Sequence, residues 1–393
     1  MSGSSAVSML GAAERRYLND IFGELCAIAS PSRQERACAR RVSEELAGLG
    51  IETVEDDAAA AVGSDCGNLL ARIDGRTHDG ERRSLLLCAH LDTVPHTAPI
   101  EPVVRDGMWE NEHDGILGAD NKAAVAMLLA LARHVRREGS PIDIELLFTV
   151  GEEISLAGSR AFDATRLRSG FGYVFDHASP IGGVVVGSPT HYRIDAEFRG
   201  AAAHAGIRPE DGRSAIVAAA SAIASMRHGR IDTETTVNVG TIEGGTAINV
   251  VPERCSLLAE VRSLDADAAD SLAAEIVDRV HEAANDPAHD CDVDVRVQRT
   301  FEGFRLSPGI PAIRAAEAAL RVCGYEPEHI VSGGGSDANA LIVAGVPTVN
   351  LANGTERNHE PGERVSVAAL DGMLDVVLAL VHEAATLPVG AGR

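Results

Sequence analysis

The chain has 393 residues, 45% hydrophobic and 24% charged, with a formal net charge of −23. That length allows two or more domains, and the composition is that of an ordinary globular protein. The acidic balance repels nucleic acid and anionic membrane surfaces, and no window approaches about eighteen uninterrupted apolar residues, so a nucleic-acid binder and a membrane-spanning protein are both excluded.

Residues Ala12 to Gly48 predict two amphipathic helices separated by Ser30-Pro31-Ser32. The second runs from Arg33 to Leu46, with the preceding serine as its cap. Strands follow at Asn68–Ile73 and Ser84–Ala89, the latter nearly continuous in apolar residues, as a strand covered on both faces should be. Asp120 opens a helix over Asn121–Arg136, Ile142–Val150 is the next strand, and Tyr173–Phe175 is a short one that stops at Asp176. This alternation predicts an α/β fold with a mostly parallel sheet and helices on its faces.

The pattern changes near Pro189. Tyr192–Phe198 alternates apolar and polar residues, as a half-buried antiparallel strand does. A helix over Ser214–Met226 follows, then strand signals at Thr235–Ile242, Ala247–Val251 and Cys255–Arg262, a helix over Ala266–Ala284 and a strand over Val293–Thr300. The segment is read as a smaller α+β domain built on four strands and two helices, about 110 residues long. After Leu306 the first style returns with a helix at Pro311–Cys323, a strand at Val346–Leu351 and a final helix at Ala368–Ala385. Residues 1–188 and 303–393 are therefore expected to form one domain, and residues 189–302 an insertion into it. The seven cysteines are scattered, odd in number and contain no C-x-x-C pair, which argues for reduced, buried thiols. The stretch Met1–Leu10 has no basic region followed by a long apolar core, so a cytoplasmic location is expected.

Chemistry gathers after the predicted strands. The run Leu146–Val150 ends in Gly151 and then two adjacent carboxylates, Glu152 and Glu153. Adjacent acids can divide their work, one holding a metal while the other handles a proton. Ser84–Ala89 leads into His90, with Asp92 two residues on; Asp120 stands at a helix start; Asp176 closes Tyr173–Phe175; His359 follows Val346–Leu351. Taken singly each has an ordinary explanation: a chance His-x-Asp, a helix cap, a turn, an exposed loop histidine. Jointly, two imidazoles and several carboxylates without thiolates suit zinc, cobalt or manganese. There are too many for one tetrahedral ion. Two histidines, two terminal carboxylates and one bridging carboxylate would satisfy two ions about 3.5–4 Å apart. Asp120 is the natural bridge, and Asp92 is placed to fix the ring of His90.

At this point the chain resembles a known family. His90-Leu91-Asp92-Thr93-Val94-Pro95, Gly118-Ala119-Asp120-Asn121-Lys122-Ala123-Ala124 and Gly151-Glu152-Glu153 look like the signatures of the co-catalytic metallopeptidases. That superfamily includes glutamate carboxypeptidase, peptidase T, succinyl-diaminopimelate desuccinylase and acetylornithine deacetylase. The resemblance covers nearly the whole chain. It implies a zinc hydrolase domain with two Zn2+ per subunit, Co2+ or Mn2+ being alternatives, and an inserted lid that also dimerises. It implies that His90, Asp120 and Asp176 hold one ion, that Asp120 bridges to a second held by Glu153 and His359, that Glu152 is the general base, and that Asp92 orients His90.

In the insertion, Arg199-Gly200-Ala201-Ala202-Ala203-His204-Ala205-Gly206 resembles the family segment whose histidine stabilises the oxyanion. Asn249 and Arg262 look like substrate-contacting positions, an arginine being able to bind a carboxylate bidentately. Without the resemblance, His204 and Arg262 read as surface residues. Ser332-Gly333-Gly334-Gly335-Ser336-Asp337 lacks the lysine and spacing of a phosphate-binding loop. In the family a similar segment lines the substrate pocket, which points to Gly335 and Ser336. Its form, with that of Phe198–Ala215, is closest to the peptidase T-like tripeptidase branch.

The expected function is therefore hydrolysis of short peptides, in the manner of a tripeptide aminopeptidase, by a metal-activated water with Glu152 as base. An N-acyl-amino-acid deacylase or a carboxypeptidase of the same superfamily is the alternative. A non-enzymatic metal-dependent binding protein would have no use for Glu152. The expected partners are a short peptide or N-acyl amino acid and a second copy of the chain, with no nucleic acid and no membrane.

Overall fold

The structure is a computed structural model that describes residues 10–76 and 83–387. Residues 1–9, on which the reading of the amino terminus rests, lie outside them. The chain divides into two compact units, Met1–Val186 with Leu306–Arg393, and Gly187–Arg305. Among the described residues no helix is long and apolar enough to cross a membrane. All seven cysteines are free and buried.

In the first unit, strands Asp143–Thr149, Ser84–His90, Gly172–His177 and Thr348–Ala352 lie side by side in that order, all parallel. Asp143–Thr149 is buried at every position. Antiparallel strands flank these four: Leu69–Ile73 beside Asp143–Thr149, and Gly183–Ser188 beside Thr348–Ala352. The parallel character expected from the alternation thus belongs to the centre, and the sheet as a whole is mixed. Helix Ala119–Glu138, apolar nearly all round, is buried from Ala119 to Ala132 and packs against the Ser84–His90 strand and helices Ala12–Cys26 and Val367–Thr386.

The second helix departs from the expectation: it begins at Arg36, and Ser32 does not cap it. The Ser32 hydroxyl donates instead to Asp92 Oδ2 at 2.6 Å, and Glu35, at the cap position, accepts the Gly151 N–H at 3.0 Å. This segment is turned toward the strand ends, which outweighs its capping preference. A short second sheet also went unforeseen. Thr355–Glu356, Arg364–Ser366, Met108–Asn111 and Pro102–Arg105 pair antiparallel in that order. Trp109 lies in it, donating from Nε1 to Asn19 Oδ1 at 2.8 Å and meeting the Phe22 ring edge-on at 5.4 Å.

The second unit is an antiparallel sheet in the order Gly229–Arg230, Thr235–Gly244, Arg254–Ser263, Thr190–Arg199, Asp292–Phe301. Helices Ala215–Ser225 and Ala266–Asn285 pack against it around a core of its own that includes Ile194, Phe198, Leu257, Val261 and Ile276. The expected strand over Ala247–Val251 does not form. Its backbone serves a neighbouring loop: Val251 N–H donates to Ala203 O at 2.9 Å, and Ala205 N–H to Asn249 O at 3.0 Å.

Gly158 fixes the turn that follows Thr149. Its N–H donates to Val150 O at 2.9 Å, and its carbonyl accepts from Asn68 Nδ2 at 2.9 Å. A Cβ there would stand 2.1 Å from Val150 O. Gly158→Ala is expected to lower the unfolding free energy by about 1–3 kcal/mol, read as a lower urea midpoint at unchanged slope.

Candidate metal centre

Parallel strands place their carboxyl ends along one edge of the sheet, the usual position for a site in an open α/β fold. His90 closes its strand in register with Thr149 of the neighbour. After Thr149 the chain turns through Gly151 at φ +62°, a left-handed conformation glycine adopts freely, into the short helix Glu152–Ile154. Asp176 sits near the end of the third strand, and the loop after the fourth carries His359, itself left-handed at φ +67°. Asp120 arrives separately, at the start of helix Ala119–Glu138 behind Gly118 at φ +77°.

These side chains converge. His90 Nε2 lies 3.3 Å from Asp120 Oδ1, 3.6 Å from Asp176 Oδ1 and 4.0 Å from Glu152 Oε2. His359 Nε2 lies 3.2 Å from Asp120 Oδ2 and 2.9 Å from Glu153 Oε1. Asp120 therefore turns one oxygen to each histidine. Donor atoms of His90, Glu152 and Asp176 all lie within 4.8 Å of one another, as do those of His90, Asp120 and Glu153.

Buried polar side chains hold the turns that carry these groups. His90 Nδ1 donates to the carbonyl oxygen of Asp92 at 2.9 Å, which leaves the Nε2 lone pair turned toward the carboxylate cluster, the ring nitrogen free to ligate a metal. The Asp92 carboxylate is 3.4 Å from the same nitrogen, and it accepts the N–H groups of Glu152 at 3.0 Å and Glu153 at 3.1 Å. One residue thus fixes both the imidazole and the acidic pair. Asn350 brackets Asp176, accepting its N–H at 2.9 Å and donating to its carbonyl at 3.3 Å. Glu363 accepts three N–H groups of the Asp120 turn, and Asn358 Nδ2 donates to Asp120 Oδ2 at 2.9 Å. Sequence reading passed over Asn350, Asn358 and Glu363, because a single amide or acid in a loop carries no periodic or motif signal.

The electrostatics follow from burial and crowding. Burial, with Asp176 and Glu153 close by, pushes Glu152 well above the usual carboxyl range. Burial also raises Glu153 and Asp176, the latter further through the Asp120 charge. Burial acts on Asp120 too, but hydrogen bonds from His359 and His90 outweigh it and hold this carboxyl far below its usual value. Burial would depress His90, yet the acids around it carry it well above the ordinary imidazole range. His359 rises to about 10 through its bonds to Asp120 and Glu153. Asp120 Oδ1 and Glu153 Oε1 are buried without a hydrogen bond of good geometry. Four clustered carboxylates around two imidazoles, with buried oxygens left over, fit a pair of divalent cations.

Gly335 is part-buried, and Ser336 is buried at the start of helix Asp337–Val343, its N–H donating to Asn339 Oδ1 at 3.0 Å. In the second unit, His204 and Asn249 are exposed and brought together by the loop pairing of Ala205 with Asn249. Arg262 is not near them along the sheet: it sits at the other end of the Arg254–Ser263 strand, paired with Glu260 at 3.0 Å.

A family model for a peptidase dimerisation domain matches residues 189–287, and one for peptidase family M28 matches residues 68–177. The protein YqjE of Bacillus subtilis (strain 168) is 35% identical over 373 residues, 95% of this chain and 99% of that protein. The crystal structure of aminopeptidase PepT from Bacillus cereus ATCC 10987 is 36% identical, with a TM-score of 0.84, over 95% of this chain and 99% of that one. The chain belongs to the dinuclear metallopeptidase superfamily, close to its peptidase T-like branch. A tripeptidase from Staphylococcus aureus subsp. aureus Mu50 is similar at 31% identity and a TM-score of 0.88, again over 95% of this chain and 99% of that one. As a member of this superfamily the protein is a metal-dependent peptidase, and its fold is the one the resemblance implied.

Glu260 offers a test of the electrostatics away from the metallopeptidase centre. Its hydrogen bond to His191, 3.1 Å from Nε2 to Oε2, and its pairing with Arg262 hold it down to about 2. A depressed carboxyl stabilises the fold above the unfolded value of about 4.3, and that contribution disappears as pH falls through the folded value. Wild type is expected to be more stable than Glu260→Gln at pH 6, with the gap closing between about pH 4 and pH 2. Urea titrations across that range measure it.

Proposed function

We propose that the chain is a dizinc exopeptidase that hydrolyses the amino-terminal peptide bond of short peptides, tripeptides foremost. The observation that carries this reading is Asp120, whose two oxygens face His90 and His359 at 3.3 and 3.2 Å. His90, Asp176 and Asp120 would hold one zinc, and Asp120, Glu153 and His359 the other. When bound, such a pair supplies a water acidic enough to deprotonate near neutrality and polarises the carbonyl to be attacked.

The protein's own groups do the rest. Glu152 is buried, unusually basic for a carboxyl, and the neighbour of Glu153. It accepts the proton of the attacking water and hands it to the leaving nitrogen. Asp92 keeps the Glu152–Glu153 turn and the His90 ring in register. His204 donates to the negative charge that develops on the substrate carbonyl oxygen. Asn249, Arg262 and the Gly335–Ser336 turn contact the polar ends of the peptide. The dimerisation-domain match over residues 189–287 supports a homodimer formed through the second unit. The seven free cysteines support a cytoplasmic location.

Protein loaded with zinc or cobalt is incubated with tripeptides, dipeptides and N-acyl amino acids, and the products are weighed by mass spectrometry. The expected products are a free amino-terminal residue and a dipeptide. Release from the carboxyl end, or cleavage of acyl groups alone, assigns the chain to the carboxypeptidase or deacylase alternative. Glu152→Ala is expected to reduce turnover by at least about 10²–10⁴-fold while the protein still takes up two metal ions. His204→Ala should lower kcat by about 10²–10³-fold with metal content unchanged.

A further inference from the structure

Glu363 is a carboxylate with almost no solvent exposure, 1%. Its Oε2 accepts the N–H of Leu117 at 2.9 Å and of Gly118 at 2.7 Å, and its Oε1 accepts the N–H of Asp120 at 2.8 Å. These amides form the turn that opens helix Ala119–Glu138. A helix start leaves such N–H groups without partners and favours a negative charge.

Glu363 is also placed by the other loop of the centre. It stands four residues after His359 and directly before strand Arg364–Ser366, where Arg364 pairs with Glu110. The two loops, 112–118 and 357–363, thus leave the small sheet from adjacent strands. Gly362 N–H donates to Gly115 O at 3.4 Å, so the loops meet again before Glu363 closes onto the Asp120 turn.

We propose that Glu363 is a positioning residue that sets the separation of Asp120 and His359, and through it the affinity of the metal position those two share with Glu153. The inference rests on the two-metal reading. The other position depends on Glu363 only through Asp120, because His90 and Asp176 stand on strands with which Glu363 makes no hydrogen bond. Loss of Glu363 therefore acts unequally on the two positions. A purely structural role would not.

Metal-free wild type, Glu363→Gln and Glu363→Asp are titrated with Co2+ and Zn2+ by isothermal titration calorimetry. Wild type is expected to take two ions per chain. Glu363→Gln replaces one acceptor by an NH2 facing N–H donors. It should weaken the position shared with Glu153 and His359 by about 10–100-fold and the other position by clearly less. Glu363→Asp keeps the charge on a shorter stem and should fall between. Wild-type affinity at both positions of Glu363→Gln overturns the inference, and so does equal weakening of both. If Glu363→Gln does not fold, the same two criteria are applied to Glu363→Asp. Fewer than two ions on wild type sinks the two-metal reading first and this inference with it, a result visible before any variant is compared.

Discussion

Like charges repel, and the centre of this protein exists because something else holds them together. Two unit charges 4 Å apart interact by about 4 kcal/mol at an effective dielectric constant of about 20. Asp120, Glu152, Glu153 and Asp176 crowd two imidazoles at 2.9–4.0 Å and so crowd one another. Their backbone is anchored from beneath. Asp92 gathers the amides of the Glu152–Glu153 turn, and Glu363 gathers those of the Asp120 turn. Each anchor is itself an acid with essentially no exposure, stabilised by hydrogen bonds to N–H groups. The backbone geometry at these turns is imposed by the scaffold.

That scaffold has two sources. The parallel strands bring His90, the Glu152–Glu153 turn, Asp176 and the segment leading to His359 to one edge. The small antiparallel sheet brings the Asp120 loop against the His359 loop. The first uses apolar runs buried on both faces; the second uses short, mixed strands of two to four residues.

This difference explains what could be read in advance. His90, Glu152, Glu153 and Asp176 were legible because each follows a run such as Leu85–Ala89 or Ile144–Thr149, whose burial leaves a strong pattern. The insertion was legible because its strands alternate, as Arg254–Ser263 does. Short hairpins like Pro102–Arg105 with Met108–Asn111 bury little and leave no comparable trace. Glu363 was invisible for a different reason: its partners are backbone amides, and any sequence supplies those. Ser32 and Ala247–Val251 misled because local preference for a cap or a strand lost to hydrogen bonds with distant loops.

The small sheet also contains the chain's one tryptophan. Trp109 is packed so closely on the first helix that a Cβ at Gly23 would lie 3.0 Å from its ring. The protein consequently carries a built-in fluorophore in the element that docks the two loops. Long-wavelength excitation selects that indole over the four tyrosines, and any loosening of the element changes its polarity and quenching without an added label.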